Sequence, residues 1–142
     1  MKYLGIDYGT KRVGLALSDE SATLAFPYSV ISNSAGLVTL IENIITKEKI
    51  GTIVIGESVA ADGADNPVQK KIEDFATTLE KKSKTPVYFE KEFFTSAEAH
   101  GRKGKEVNDA RQTKFAAPAH IDARAAALIL QRYLDKEKKK LA

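Results

Sequence analysis

No cysteine occurs in this chain, which excludes disulfides, thiolate nucleophiles and thiolate zinc sites and fits a reducing cytoplasm. Histidine is nearly as scarce. His100 and His120 are too few for a structural zinc site built without cysteine, so a metal bound here is expected to be a hard cation held by carboxylates. No apolar run approaches the roughly 20 residues that cross a bilayer, so no membrane association is expected. The N-terminus enters a strand pattern directly, without the basic, apolar and cleavage regions of a signal peptide. Internal repeats, an interdomain linker and the Walker sequence Gly-x4-Gly-Lys-Ser/Thr are also missing. These features predict one cytoplasmic globular domain over residues 1–142, long enough to bury a real core.

Charge of one sign is also weak: 22 lysines and arginines against 19 acids leave a net charge of +3. The positive charge is unevenly placed, however. The runs KKSK (81–84) and KEKKK (136–140) suit a solvated surface and a chain end. The runs GRKGK (101–105) and RQTK (111–114) lie in a stretch, 100–117, with no hydrophobic period, which predicts a mobile basic loop.

Residues 2–7 and 12–18 form two apolar or alternating runs joined by a short glycine-containing turn, the pattern of a hairpin. A third strand is expected over 23–32, where Pro27 implies an edge position or a bulge. Leu37, Leu40, Ile41, Ile44 and Ile45 have helical spacing, with Ser34 as the expected N-cap. GTIVIG (51–56) has the continuous apolar character of a central strand covered on both faces. A second helix is expected over 67–82, a fifth strand over 85–90, a short helix at 95–99 with a capping-box spacing, and a last helix over 119–138. The order βββαβαβαα predicts a five-stranded mixed α/β sheet flanked by helices on both faces.

Three acids stand where acids are locally out of place. Asp7 closes the first strand, Glu92 follows the fifth, and Asp122 shares a flank of the last helix with Ala126, Ile129 and Tyr133. Singly, each has an ordinary explanation as a turn, strand-end or helix-dipole residue. Converging at one edge of the sheet, they would repel one another unless a divalent cation neutralised them, and an oxygen-only site suits Mg²⁺ or Mn²⁺. Two such ions can activate a water and stabilise the leaving oxygen of a phosphodiester.

The stretches GIDYGTKRVGLALSD, VIGES…DG…NP, EFFTSAEA and IDARAAALILQRYLD together resemble the YqgF family of pre-16S rRNA nucleases, also called Holliday-junction-resolvase-like proteins. The resemblance covers nearly the whole chain and keeps motif order and spacing. It implies an RNase H-like fold, metal-binding catalytic carboxylates at Asp7, Glu92 and Asp122, and trimming of a ribosomal RNA precursor, with the small-subunit precursor as a partner. Two positions depart from the family pattern. Gly56-Glu57-Ser58 replaces Gly-Leu-Pro, which leaves Glu57 as either an auxiliary ligand or a loop charge. Lys91-Glu92-Phe93 replaces Asp-Glu-Arg, which keeps the acid and loses the arginine.

Lys11 and Arg12 follow Asp7 in the turn and are candidates for phosphate contact. Arg102, Lys103, Lys105, Arg111 and Lys114 lead toward Asp122, where a basic arm could hold a nucleic-acid backbone by counterion release. Pre-rRNA is favoured over branched DNA as substrate. Two other functions remain open: a non-catalytic RNA-binding assembly factor and a Holliday-junction resolvase. The first hairpin also resembles the phosphate-binding hairpin of actin-like ATPases and sugar kinases, but those proteins need two such domains.

Overall fold

A computed structural model of the chain describes residues 1–57, 67–91 and 110–141; for residues 67, 110–122 and 141 it describes the backbone alone. Five strands and three helices occupy these residues: β1 (Lys2–Tyr8), β2 (Arg12–Ser18), β3 (Ala25–Ser32), α1 (Leu37–Glu48), β4 (Ile50–Glu57), α2 (Pro67–Ser83), β5 (Val87–Lys91) and α3 (Ala110–Leu141). The strands form one mixed sheet in the order β3-β2-β1-β4-β5. β1 pairs antiparallel with β2 and parallel with β4, and β5 continues parallel to β4. The sequence-based expectation of a five-stranded mixed sheet is met.

Strand alternation sorts the apolar residues onto two faces. Leu4 and Ile6 of β1, Val13 and Leu15 of β2, and Ile53 and Ile55 of β4 pack with Ile41, Ile72 and Leu79 of α1 and α2. Ala16 of β2 and Val54 of β4 pack on the other face with Ala126, Ile129, Leu130 and Leu134 of α3. Covering on both sides explains why β4 shows a continuous apolar run instead of alternation. The helix α3 lies directly on the backbone of β1. A Cβ on Gly5 would come within 2.8 Å of Leu130 Cβ and 2.9 Å of the Ala126 carbonyl oxygen.

β3 is an edge strand whose register with β2 shifts between Leu15 and Ala16, next to Pro27, as that proline implies. Several boundaries differ from the sequence reading, and three of them are informative. β3 begins at Ala25 instead of residue 23, because Thr23 and Leu24 direct their backbone N–H groups to the Asp19 carboxylate. α1 begins at Leu37 with Gly36 as its N-cap and no side-chain cap; the carbonyl of Ser34, not its hydroxyl, accepts the Leu37 N–H.

The third difference is larger. α3 begins at Ala110, so residues 110–117 are helical and not part of a loop. The stretch Ala110-Arg-Gln-Thr-Lys-Phe-Ala-Ala is dominated by good helix formers but carries no apolar stripe, and a search for hydrophobic periodicity passes over such a helix. The short helix expected at 95–99 lies outside the described residues.

Candidate active site

The parallel run of β1, β4 and β5 brings three strand carboxyl ends to one edge of the sheet. Asp7 lies there, paired with Gly14 of β2 and half-buried. Leu4 and Ile6 face α1 and α2 while Gly5 meets α3, so alternation puts Asp7 on the α3 face. Beyond it the chain turns through Gly9, Thr10 and Lys11 into Arg12. Asp7 and these four residues line a recess of about 210 Å³.

The turn is built tightly. A Cβ at Gly9 would stand 2.5 Å from the Arg12 carbonyl oxygen, so glycine is required by close backbone approach. Asn33, just past the end of β3, braces it from outside. Its backbone N–H donates to the Lys11 carbonyl at 2.9 Å and its side-chain amide to the Gly9 carbonyl at 2.7 Å. Lys11 and Arg12 are exposed, so a carboxylate and two cations share one open recess. Such a site can hold a phosphate oxygen on its cations and a metal or a polarised water on its carboxylate.

The backbone of Asp122 approaches the same edge. Ala126 and Leu130 meet Gly5, and the Tyr133 ring lies 6.1 Å from that of Tyr3, so α3 runs antiparallel to β1. Asp122 lies one turn before Ala126, about 6 Å along the helix axis. Asp7 lies two residues beyond Gly5, about 6.6 Å along the strand. From their contact at Gly5, both elements therefore run on toward the same edge of the sheet. Nothing of the Asp122 side chain is described, nor of Arg111 and Lys114, whose backbones lie in α3. Glu92, Arg102, Lys103 and Lys105 lie outside the described residues. Among the described residues there is no group of three or more His, Asp or Glu side chains that could hold a metal ion.

Glu57 ends β4 in phase with Ile53 and Ile55, on the face opposite to Asp7. There Gln69 of α2 donates to it at 3.5 Å, so Glu57 stands with α2 and not beside Asp7. A residue the sequence reading passed over is Glu90 of β5. It is 4% exposed, pairs in register with Gly56, and accepts a 2.7 Å ion pair from Lys136 of α3. Glu90 therefore lies on the Asp7 face, with only the side-chain-free Gly56 between the two in register. Its alternation with Tyr88 was the available signal, since Tyr88 stacks on Tyr133 of the same helix.

The sheet order, with α1 and α2 on one face and a C-terminal helix on the other, is that of the RNase H-like fold, and solved resolvases superpose on it. T. thermophilus RuvC in complex with Holliday junction substrate matches with a TM-score of 0.61 at 18% identity, over 97% of this chain and 96% of its own. The Fowlpox virus resolvase in complex with Holliday junction DNA matches at 0.59 and 14%, over 96% and 98%. At these identities the likeness concerns the fold.

The chain belongs to the family described as "RuvX: Holliday junction resolvase", which matches residues 1–136. A relative from Maridesulfovibrio salexigens is 35% identical over 136 residues, 94% of this chain and 98% of its own length. One from Nitratidesulfovibrio vulgaris is 36% identical over 141 residues, 95% and 94% of the two lengths. Both bear the name "Putative pre-16S rRNA nuclease".

Proposed function

We propose that this protein is a divalent-metal-dependent nuclease that hydrolyses a phosphodiester bond in the precursor of 16S rRNA, in the cytoplasm, as a step of small-subunit assembly. The observation that carries this reading is the recess at the carboxyl edge of the sheet. There Asp7 shares an open space with Lys11 and Arg12. The names of the relatives favour RNA over branched DNA. No helix among the described residues is long and apolar enough to cross a membrane, which is compatible with that compartment.

The ligands in this proposal are Asp7, Glu92 and Asp122. All three offer only hard oxygen donors, and a chain without cysteine offers no competing soft ligand, so the donor chemistry fits Mg²⁺ or Mn²⁺. When bound, such an ion supplies an activated water and neutralises charge on the leaving oxygen. Asp7 provides its negative charge from a strand end fixed between β2 and β4. Lys11 and Arg12 bind phosphate oxygens and set the scissile bond beside Asp7, and the braced Gly9 turn keeps them there. The basic residues Arg102, Lys103, Lys105, Arg111 and Lys114 extend the phosphate contact along the strand.

Cleavage of labelled single-stranded pre-rRNA and of a four-way DNA junction, each with Mg²⁺, Mn²⁺ or EDTA, tests the proposal. Asp7→Asn keeps the shape of the side chain and removes its charge, and should abolish cleavage while leaving the fold intact. Equal rates for wild type and Asp7→Asn would refute it. Cleavage of the junction alone would replace pre-rRNA with branched DNA as substrate. RNA binding without any cleavage would identify a non-catalytic assembly factor.

A further inference from the structure

Asp7 and Tyr8 are consecutive in β1, so they leave the strand on opposite faces. Behind the phosphate turn, on the α1/α2 face, Tyr8 forms part of a second recess of about 310 Å³. We propose that this second recess holds an unpaired nucleobase of the same strand whose phosphate lies at the Gly9–Arg12 turn. The inference rests on the nuclease reading above and adds that the nucleotide beside the cut is single-stranded and splayed.

Three features support it. The first is the lining. Tyr8 and Phe75 form an aromatic pair with ring centroids 4.9 Å apart, and Val38 adds an apolar wall. Lys71 and Asp74 of α2 stand on the polar side, exposed, as a donor and an acceptor. An aromatic floor with a donor and an acceptor at its rim is what a nucleobase needs for stacking and edge hydrogen bonds. The second is size, since about 310 Å³ lies at the lower end of the range for small-ligand sites.

The third feature is continuity with the first recess. Asn33 lines the second recess and also fixes the turn, through the Gly9 and Lys11 carbonyls. Asn33 is therefore the link between the two: it lines the second recess and holds the turn that lines the first. A strand passing over this end of the sheet would leave its phosphate with Lys11 and Arg12 and direct a base toward Tyr8. A base in a duplex cannot make that excursion without unpairing, so the geometry favours single-stranded substrate.

The experiment uses the full chain and short single-stranded RNAs carrying one abasic nucleotide, moved stepwise along the sequence. Binding is read by fluorescence anisotropy in Ca²⁺. One position should weaken binding about tenfold, and its neighbours much less. Thr78→Trp, at an exposed α2 position lining the recess, should weaken intact RNA by a similar factor and make it indifferent to that abasic position. A 5-iodouridine at that position should photocrosslink to the peptide containing Tyr8. Binding with equal affinity for every abasic RNA would overturn this inference and leave the nuclease reading standing. No binding of any nucleic acid would overturn both.

Discussion

The side-chain amide of Asn33 donates to the carbonyl of Gly9 at 2.7 Å, while its backbone N–H reaches the Lys11 carbonyl at 2.9 Å. One residue beyond β3 thus fixes the turn between β1 and β2, across a sequence separation of 24. Asn33→Ala keeps the backbone bond and loses the amide bond. It should cost about 1 kcal/mol, the usual net value of one hydrogen bond. The larger effect should be on substrate: a rise in KM with kcat little changed, because the phosphate cations lose their support and Asp7 does not. An unchanged KM for RNA would show that the brace does not position Lys11 and Arg12.

Gly5→Ala should destabilise the fold through α3. The added methyl would stand 2.8 Å from Leu130 Cβ and 2.9 Å from the Ala126 carbonyl oxygen. One of these contacts is backbone, so the helix has to move outward. Overpacking of this kind costs about 1–3 kcal/mol, a fall in Tm of roughly 3 °C or more. The same displacement would shift Asp122 relative to Asp7, so cleavage should fall by more than the stability loss explains. Thermal melts and single-turnover rates on the same variant separate the two effects.

Glu90 and Lys136 are coupled across β5 and α3 with unequal exposure: the lysine side chain is 64% exposed and the glutamate 5%. Lys136→Ala would leave a buried carboxylate without its cation and should cost about 1–3 kcal/mol. Adding Glu90→Gln should recover part of that loss, and a double-mutant cycle would read the coupling directly. Glu90→Gln alone should keep cleavage within about tenfold of wild type, because Lys136 already neutralises this acid. A loss as complete as that of Asp7→Asn would instead place Glu90 among the catalytic carboxylates.

Asp19 orders the turn between β2 and β3. Its carboxylate accepts the backbone N–H of Thr23 at 2.8 Å and of Leu24 at 3.2 Å, and these bonds, Thr23 first, hold its pKa below the ordinary aspartate value. A depressed folded-state pKa gives stability that is complete above the unfolded value of about 4 and is lost as pH falls through the folded value. Asp19→Ala should therefore lower Tm at pH 7, and the gap from wild type should narrow below about pH 4. A gap constant from pH 7 to pH 3 would show that the charge of Asp19 does not contribute.

Much of the site's near side was legible in the sequence. The apolar runs of β1, β2 and β4, the turn residues Gly9–Lys11 and the strand-end Asp7 are local features. Alternation and turn chemistry act over a few residues, and the sequence displays them directly. The edge position of β3 was legible for the same reason, because Pro27 has no N–H to give a neighbouring strand.

What sequence determined by itself, then, was the five strands, the first two helices, the mixed sheet and the acid at the end of β1. Tertiary structure decided what meets what. Glu90 looked like any strand-end acid until α3 brought Lys136 to it from 46 residues away. Glu57 closes β4 next to the strand that Asp7 closes, but the pleat sends it through to α2, the opposite face. The second recess exists only because Asn33, Val38 and Phe75, from the end of β3, α1 and α2, converge behind Tyr8. Each of these depends on strand phase and helix placement, which are set by packing over the whole sheet and are not written in any one stretch of chain.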